Sequence, residues 1–443
     1  MKPTPRMTPL LRIFLAVLAA AWLAVPHAAH AQLQIQITSG VTNPVPIAIV
    51  PFAEAPTDGT DVADVVQHDL VGSGRFTALA RARMPATPTS AAGVTFADWK
   101  AAGSDYVVVG QVVPMANGQL AVDFNLLNAL TGQSIARQRF VGAASALRNA
   151  AHRVSDVIYQ TITGIRGAFA TRIAYVAIVQ QGADQEFQLV IADADGYNQH
   201  LILQSRFPIM SPAWSPDGQW IAYVSFENHL SAVYVQKVLT GQRTRVSMRA
   251  GINGAPAWSP DGKKLALTLS GDSGHPEIYI LDLSTQHLTR ITDSPSINTE
   301  ACWSPDGRSI YFTSDRAGEP QIYRIAATPG GIPERITFTD EYNAGPHISA
   351  DGKLLAMVTR DDSGSYRIAV QNLATGEFRL LSPGRLDESP SFAPNGATIM
   401  YAARPGQGQA GILATISVDG LTGLSLRPTQ GEVRDPAWGP FIQ

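Results

Sequence analysis

One motif returns through the second half of the chain at nearly equal intervals. Ser-Pro-Ala-Trp-Ser-Pro-Asp-Gly at 211–218 recurs as Ala-Pro-Ala-Trp-Ser-Pro-Asp-Gly at 255–262 and as Glu-Ala-Cys-Trp-Ser-Pro-Asp-Gly at 300–307. Weaker copies follow at 345–352, 389–396 and 435–440. The anchor residues are Trp214, Trp258, Trp303, Ile348, Phe392 and Trp438, spaced by 44 to 46 residues, and four of the seven tryptophans occupy this slot. A strand-rich unit of that period is the sequence mark of a β-propeller.

The interior of each unit supports four strands. After each Pro-Asp-Gly or its variant comes a β-rich run: Ile221–Val224, Leu265–Thr268, Ile310–Thr313, Leu354–Val358 and Ile399–Tyr401. Further strands are expected at Ile278–Leu281 and Ile322–Ile325, then at Leu288–Thr292 and Glu334–Thr337. Proline presets φ and glycine accepts φ > 0, so Ser-Pro-Asp-Gly reads as a tight hairpin turn. The tryptophans are expected to pack between blades.

Counting around the ring gives six blades. A second-type strand begins at Ile173 with no tryptophan strand before it, and the Trp438 strand has nothing after it. Pairing 436–441 with 173–176 completes one blade from both ends and is expected to leave no open sheet edge.

The preceding part follows a different pattern. Ile47–Phe52 reads as a buried strand. Asp61–Val71 carries Val62, Val65, Val66 and Leu70 on one face and ends at Gly72, as a helix does. Strands are expected at Asp105–Val113, Gln119–Asn128 and Ser134–Val141, with Thr131-Gly132 turning the last hairpin, and a long helix at Ser145–Thr163 closed by Gly164. The fold class is thus multi-domain: an α/β domain over 32–165, then a six-bladed β-propeller over 166–443 closed by its C-terminal strand.

Residues 1–31 read as a signal peptide. Lys2, Arg6 and Arg12 make a basic start, Leu10 to Val25 is a nearly unbroken apolar run, and Ala29-His30-Ala31 supplies small residues at the cleavage positions. The fully apolar core, 13–25, falls short of the ~20 residues of a membrane span. Removing these residues would take the net charge from -3 to -6 over 412 residues. A mildly acidic exported chain has no electrostatic footprint for nucleic acid, and no later segment predicts a membrane span.

Catalytic and metal-binding readings are weak. Gly271-Asp272-Ser273-Gly274 matches the tetrapeptide around a peptidase nucleophile, but it falls where the other units have hairpin loops, with no base or orienting group implied. Asp193-Ala194-Asp195-Gly196 resembles the start of a calcium loop without its later ligands. Gly72-Ser73-Gly74 follows a helix and lacks the third glycine of a dinucleotide fingerprint. The nine histidines form no zinc motif. Cys302 has no partner in the chain and fills a slot that is Ala213, Ala257 and Ala437 in other units, so it reads as a small buried thiol. No metal or cofactor is expected.

What remains is a surface. The loops entering the anchor strands share one face and carry Glu300, Asp340, Glu341, Asp387, Glu388, Glu432 and Asp435 against Arg206, Arg249, Arg385 and Arg434. This is either a recognition face or a solvated charged rim.

Three segments outside the repeats carry a family resemblance: Pro46–Phe52, Asp105–Gln111, and Thr163–Phe169 running into Thr171–Tyr175; Asp195–Gln199 adds to it. On these the chain resembles the TolB family, periplasmic components of the Tol–Pal envelope system. The resemblance implies a non-enzymatic periplasmic adaptor that supports outer-membrane invagination during division and envelope integrity. The propeller channel face would bind Pal, the peptidoglycan-associated lipoprotein, and the mature N-terminus would contact TolA; bacteriocins exploit such proteins for entry. Carried over by position, the Pal-binding residues are Asn253, Gly254, Ala255, Thr299, Glu300, Asp387 and Glu388. The TolA-binding residues are Gln32, Leu33, Gln34, Ile35, Gln36 and Ile37. The chain departs from the family at Ile252, where a histidine is often found. The alternating polar and apolar residues of 32–37 could add as a strand to their own domain or to another protein's edge. The competing readings are a propeller hydrolase or lactonase, and a propeller that gates a separate peptidase.

Overall fold

The computed structural model describes residues 33–39, 43–53, 60–182, 184–271, 274–406, 408–428 and 430–441. The expected leader, Gln32 and the Asp272-Ser273 pair lie outside them.

The α/β domain is a five-stranded mixed sheet. Strand β1, Leu33–Ser39, is not part of it. β2 (Val45–Ile49) lies between β3 (Phe76–Ala78) and β4 (Tyr106–Pro114), parallel to both, and the central β4 continues antiparallel into β5 (Gln119–Asn128) and β6 (Gln133–Ala143). Side chains alternate across β2. Ile47 and Ile49 face helices α1 (Val62–Gly72) and α3 (Leu147–Thr163), while Ala48 and Val50 face the opposite side. That second side is covered by α2, Phe96–Ala101, which inserts Trp99 at 1% exposure. The sequence pattern did not announce α2, because six residues are too few to display a helical period. Asp61 caps α1 by accepting from the Asp64 amide at 3.0 Å, and Gly164 ends α3 with φ 77°. Gly110 is required where β4 crosses Phe52: a Cβ there would come within 2.4 Å of that ring.

The propeller has six blades. Four are the strand sets spanning 209–247, 253–290, 298–335 and 342–380, and a fifth spans 386–428. The sixth joins the strand Glu432–Trp438 to Arg172–Gln181, Asp184–Asp193 and His200–Ser205, with Trp438 opposite Ile173 and Ala437 opposite Ala174. The ring therefore closes through the C-terminal strand, as the repeat count requires.

The repeated motif does two jobs. In the turns, Asp217, Asp261, Asp306 and Asp351 each accept from the serine two residues back, at 2.5 to 2.7 Å, and from the amide two residues on, at 3.0 to 3.1 Å. The anchors link blades: the indole N–H groups of Trp214, Trp258 and Trp303 each donate to the backbone carbonyl of Ala437, Ala213 and Ala257 in the preceding blade, at 3.1 Å. Trp438 instead donates to Thr171 Oγ1 at 2.8 Å. Cys302 packs against the Tyr311–Ile348 cluster, and burial pushes its thiol up to about 11.

β1 pairs antiparallel with Gly423–Pro428, the outer strand of the fifth blade, from Leu33 opposite Pro428 to Ser39 opposite Gly423. The segment that sequence assigned to the first domain is thus the fifth strand of a blade. The outer strand of each blade is an open edge, and this one lies beside the α/β domain, where Leu424 approaches Gly72 of α1.

Candidate functional site

Every inner strand of the propeller breaks register at the same place. The residue three before the anchor adopts a left-handed conformation: Ser211 (φ 51°), Ala255 (44°), Glu300 (56°), Gly345 (62°), Ser389 (55°) and Asp435 (47°). Pairing with the next strand shifts at each of these positions. Five of the six are not glycine, and each such residue stores about 1–2 kcal/mol of backbone strain. The six bulges ring a channel of about 910 Å³, lined toward its other end by Pro216, Pro260 and Pro305.

Carboxylates hold this ring. Asp435 Oδ2 accepts from the Ser211 amide at 3.0 Å. Glu300 Oε2 accepts from the Gly345 amide at 2.9 Å and from the Thr313 hydroxyl at 2.8 Å. In both cases the acid on one blade caps the bulge of the next. Asp340 accepts from Thr359, and Glu341 and Glu432 pair with Arg360 and Arg434. Glu388 is different: it lines the channel mouth near Tyr342 and Tyr366, is exposed, and has no hydrogen bond or ion pair among the described residues.

The seven residues carried over as Pal contacts separate into groups. Ala255, Glu300 and Glu388 line the channel. Gly254 and Thr299 are half-buried beside it, with Thr299 in hydroxyl contact with Thr268 at 3.3 Å. Asn253 is fully buried and pins its own loop, accepting from Ser247 and the Arg249 amide and donating to the Arg249 carbonyl. Asp387 is also buried, at 1% exposure; it accepts from the Gly384 amide at 3.1 Å, and burial pushes its carboxyl up to about 6. These two shape the loops rather than presenting side chains at the mouth. His347, in the same slot as Cys302, accepts from the Phe392 amide at 3.3 Å, and burial lowers it to about 4, so it is a neutral structural imidazole. Of the N-terminal residues, Leu33 to Ile37 form the docked β1.

A second constellation went unseen in the sequence. At the seam between the domains, Asp69 of α1, His152 of α3 and Asp195 of the sixth blade bring ligand atoms within 4.8 Å of one another. Its only local signals are an acid between Val66 and Leu70 on a buried helical face and a histidine on the buried face of α3. Asp195 belongs to the segment that resembled a calcium loop; its side chain turns to α3 instead, where Arg148 donates to it.

Two family models match the chain: the TolB amino-terminal domain over residues 33–135 and the TolB beta propeller domain over 159–442. The Tol-Pal system protein TolB of Thioalkalivibrio sulfidiphilus is 49% identical over 445 residues, covering 100% of each chain. That of Methylococcus capsulatus is 50% identical over 410 residues, covering 93% of this chain and 95% of the relative. The crystal structure of TolB from Acinetobacter baumannii superposes with a TM-score of 0.86 at 43% identity, covering 93% of this chain and 100% of that one.

Proposed function

The chain belongs to the TolB family of the Tol-Pal system, and from that premise we propose that it is a periplasmic adaptor, without catalytic activity, that joins Pal to TolA. Pal seats on the channel face, over Ala255, Glu300 and Glu388, with Gly254 and Thr299 beside it and Asn253 and Asp387 holding the loops in shape. TolA takes the N-terminal segment, residues 32–37. Residues 1–31 direct export, and among the described residues no helix is long and apolar enough to cross a membrane.

The observation that carries the channel assignment is the ring of strained bulges. A mouth whose loops are fixed before the partner arrives loses little further freedom on binding, and preorganisation of that kind raises affinity. Most rim acids are already engaged within the propeller, by their own blade or the next, which leaves Glu388 as the negative charge available to a cation on the partner. The N-terminal assignment rests on a different kind of contact. A single strand added to an open blade edge can be exchanged for a strand of another protein with the same backbone pairing.

Binding of the purified protein to Pal and to TolA tests both halves. Deleting residues 33–39 is expected to abolish TolA binding while Pal still binds, and if TolA is retained the N-terminal half of the reading fails. Pal affinity that changes on the same deletion would mean that the two sites are coupled, and the coupling would then be reciprocal.

A further inference from the structure

The seam between the domains is organised around one imidazole. Along α3, Arg148, His152, Asp156 and Tyr159 follow one another at helical spacing on the stripe facing the propeller and the interdomain connection. Asp156 accepts from the amides of Phe169 and Ala170 at 2.7 and 3.3 Å and so fixes the connection itself. Gly167 passes so close that a Cβ there would lie 2.4 Å from the Asp156 backbone.

His152 sits deeper, with 1% of its side chain exposed. Its Nδ1 is 2.7 Å from Asp69 Oδ2 on α1, within the same domain, and its Nε2 is 3.5 Å from Asp195 Oδ2 in the propeller. Nε2 has no hydrogen-bond partner at ordinary distance. Arg148 completes the group: its guanidinium donates to Asp195 and stacks on Tyr197, 3.7 Å from the ring centroid. The facing charges are therefore Asp69 from α1, Arg148 and Asp156 from α3 itself, and Asp193 and Asp195 from the sixth blade.

We infer that His152 is an interdomain bolt: a single imidazolium, held by Asp69 of the α/β domain and facing Asp195 of the propeller, fixes the angle between the two domains while it carries its proton. A neutral imidazole would leave two buried carboxylates on one side chain with a single N–H to share, whereas the imidazolium offers a donor to each. A bound divalent cation is the competing occupant of the same three residues. The guanidinium already on Asp195 Oδ2 opposes it, because a second cation would have to share that oxygen.

The electrostatics agree with the geometry. Burial opposes the charge, but Asp69, then Asp195 and Asp193, outweigh it and raise His152 from 6.5 to about 9. Its folded value is raised, so its contribution to docking is fully present below the ordinary histidine range and is lost as pH rises through about 9.

The test uses NMR titration of the histidine ring together with electron-spin distances between labels on the two domains of the purified protein. The expected result is an imidazole that stays protonated at pH 7 and titrates near 9, with an interdomain distance distribution that broadens over the same range. Asp195→Asn keeps the shape of the contact and removes the propeller's charge. It is expected to weaken proton binding to His152 by about tenfold or more, roughly one pH unit, and to broaden the distances already at pH 7, with the propeller's unfolding transition retained. His152→Gln should give a distance distribution that no longer depends on pH. The inference is overturned by an imidazole titrating at the ordinary value, by a midpoint that Asp195→Asn leaves in place, or by stoichiometric uptake of zinc that perturbs the His152 signals.

Discussion

At the channel mouth and at the interdomain seam, carboxylates are held in different company. Around the channel, Glu300 and Asp435 accept from backbone amides of the adjoining blade, within a ring whose spacing the repeat already sets. At the seam, Asp69 meets the His152 ring within its own domain, whereas Asp195 meets Arg148 and His152 only when the two domains are correctly docked. The first arrangement stiffens one body. The second joins two bodies, and its strength depends on protonation of a histidine. The comparison implies that changes in the ring alter propeller stability or partner binding without moving the domains relative to each other.

The largest effect is expected from Trp303→Ala. Trp303 is 8% exposed, packs with Phe312 and Ala266, and donates to the Ala257 carbonyl. Truncating a buried aromatic costs about 3–5 kcal/mol, which denaturant unfolding would read directly. A loss below about 1 kcal/mol would show that the anchor slot is not what ties neighbouring blades together.

Asp387→Asn comes next and has a defined pH signature. Burial raises this carboxyl from 3.8 to about 6, so the native charge is destabilising above that range and absent below 4. The asparagine variant should gain on the order of 2 kcal/mol over the native protein at pH 8 and nothing at pH 4, with the difference growing between those values. An advantage that is the same at both ends would remove the charge from the explanation.

The parts of this architecture differed in legibility for physical reasons. Blades, turns and ring closure were readable because the units repeat one local chemistry in one order, an anchor residue that is aromatic in five of six and a turn that is Ser-Pro-Asp-Gly in three and a variant of it in the others. The bulges left a fainter trace. Ser211, Ala255, Gly345, Ser389 and Asp435 all precede proline, which disfavours the right-handed helical region, but proline alone does not choose between extended and left-handed backbone. The seam was not legible at all, since Asp69 and His152 stand 83 residues apart on two helices and no period relates them. Docking of β1 on the propeller was open for the same reason: alternation in 33–37 announces a strand, but not which edge receives it.

Glu300 gives a smaller effect that separates structure from recognition. Glu300→Ala leaves the Gly345 amide with only the Thr313 hydroxyl, and should cost about 1 kcal/mol. Glu300→Gln keeps an acceptor for that amide and loses the charge. If Pal binding weakens with alanine and not with glutamine, the residue acts by holding the ring. Equal weakening would place its charge in the interface.

Glu388→Gln should be the mildest change to the fold and the most informative about the partner. The side chain is exposed and unpaired among the described residues, so stability should stay within about 0.5 kcal/mol of the native value. An unpaired charge at the mouth of a channel acts mainly by steering an oppositely charged surface during encounter. The variant is therefore expected to slow Pal association at low salt, to leave dissociation nearly unchanged, and to lose its difference from the native protein as ionic strength rises and screening shortens the reach of the charge. A variant that instead accelerates dissociation would place Glu388 in a desolvated contact, and the channel mouth would then resemble the seam, with a buried charge depending on a cation supplied by another body.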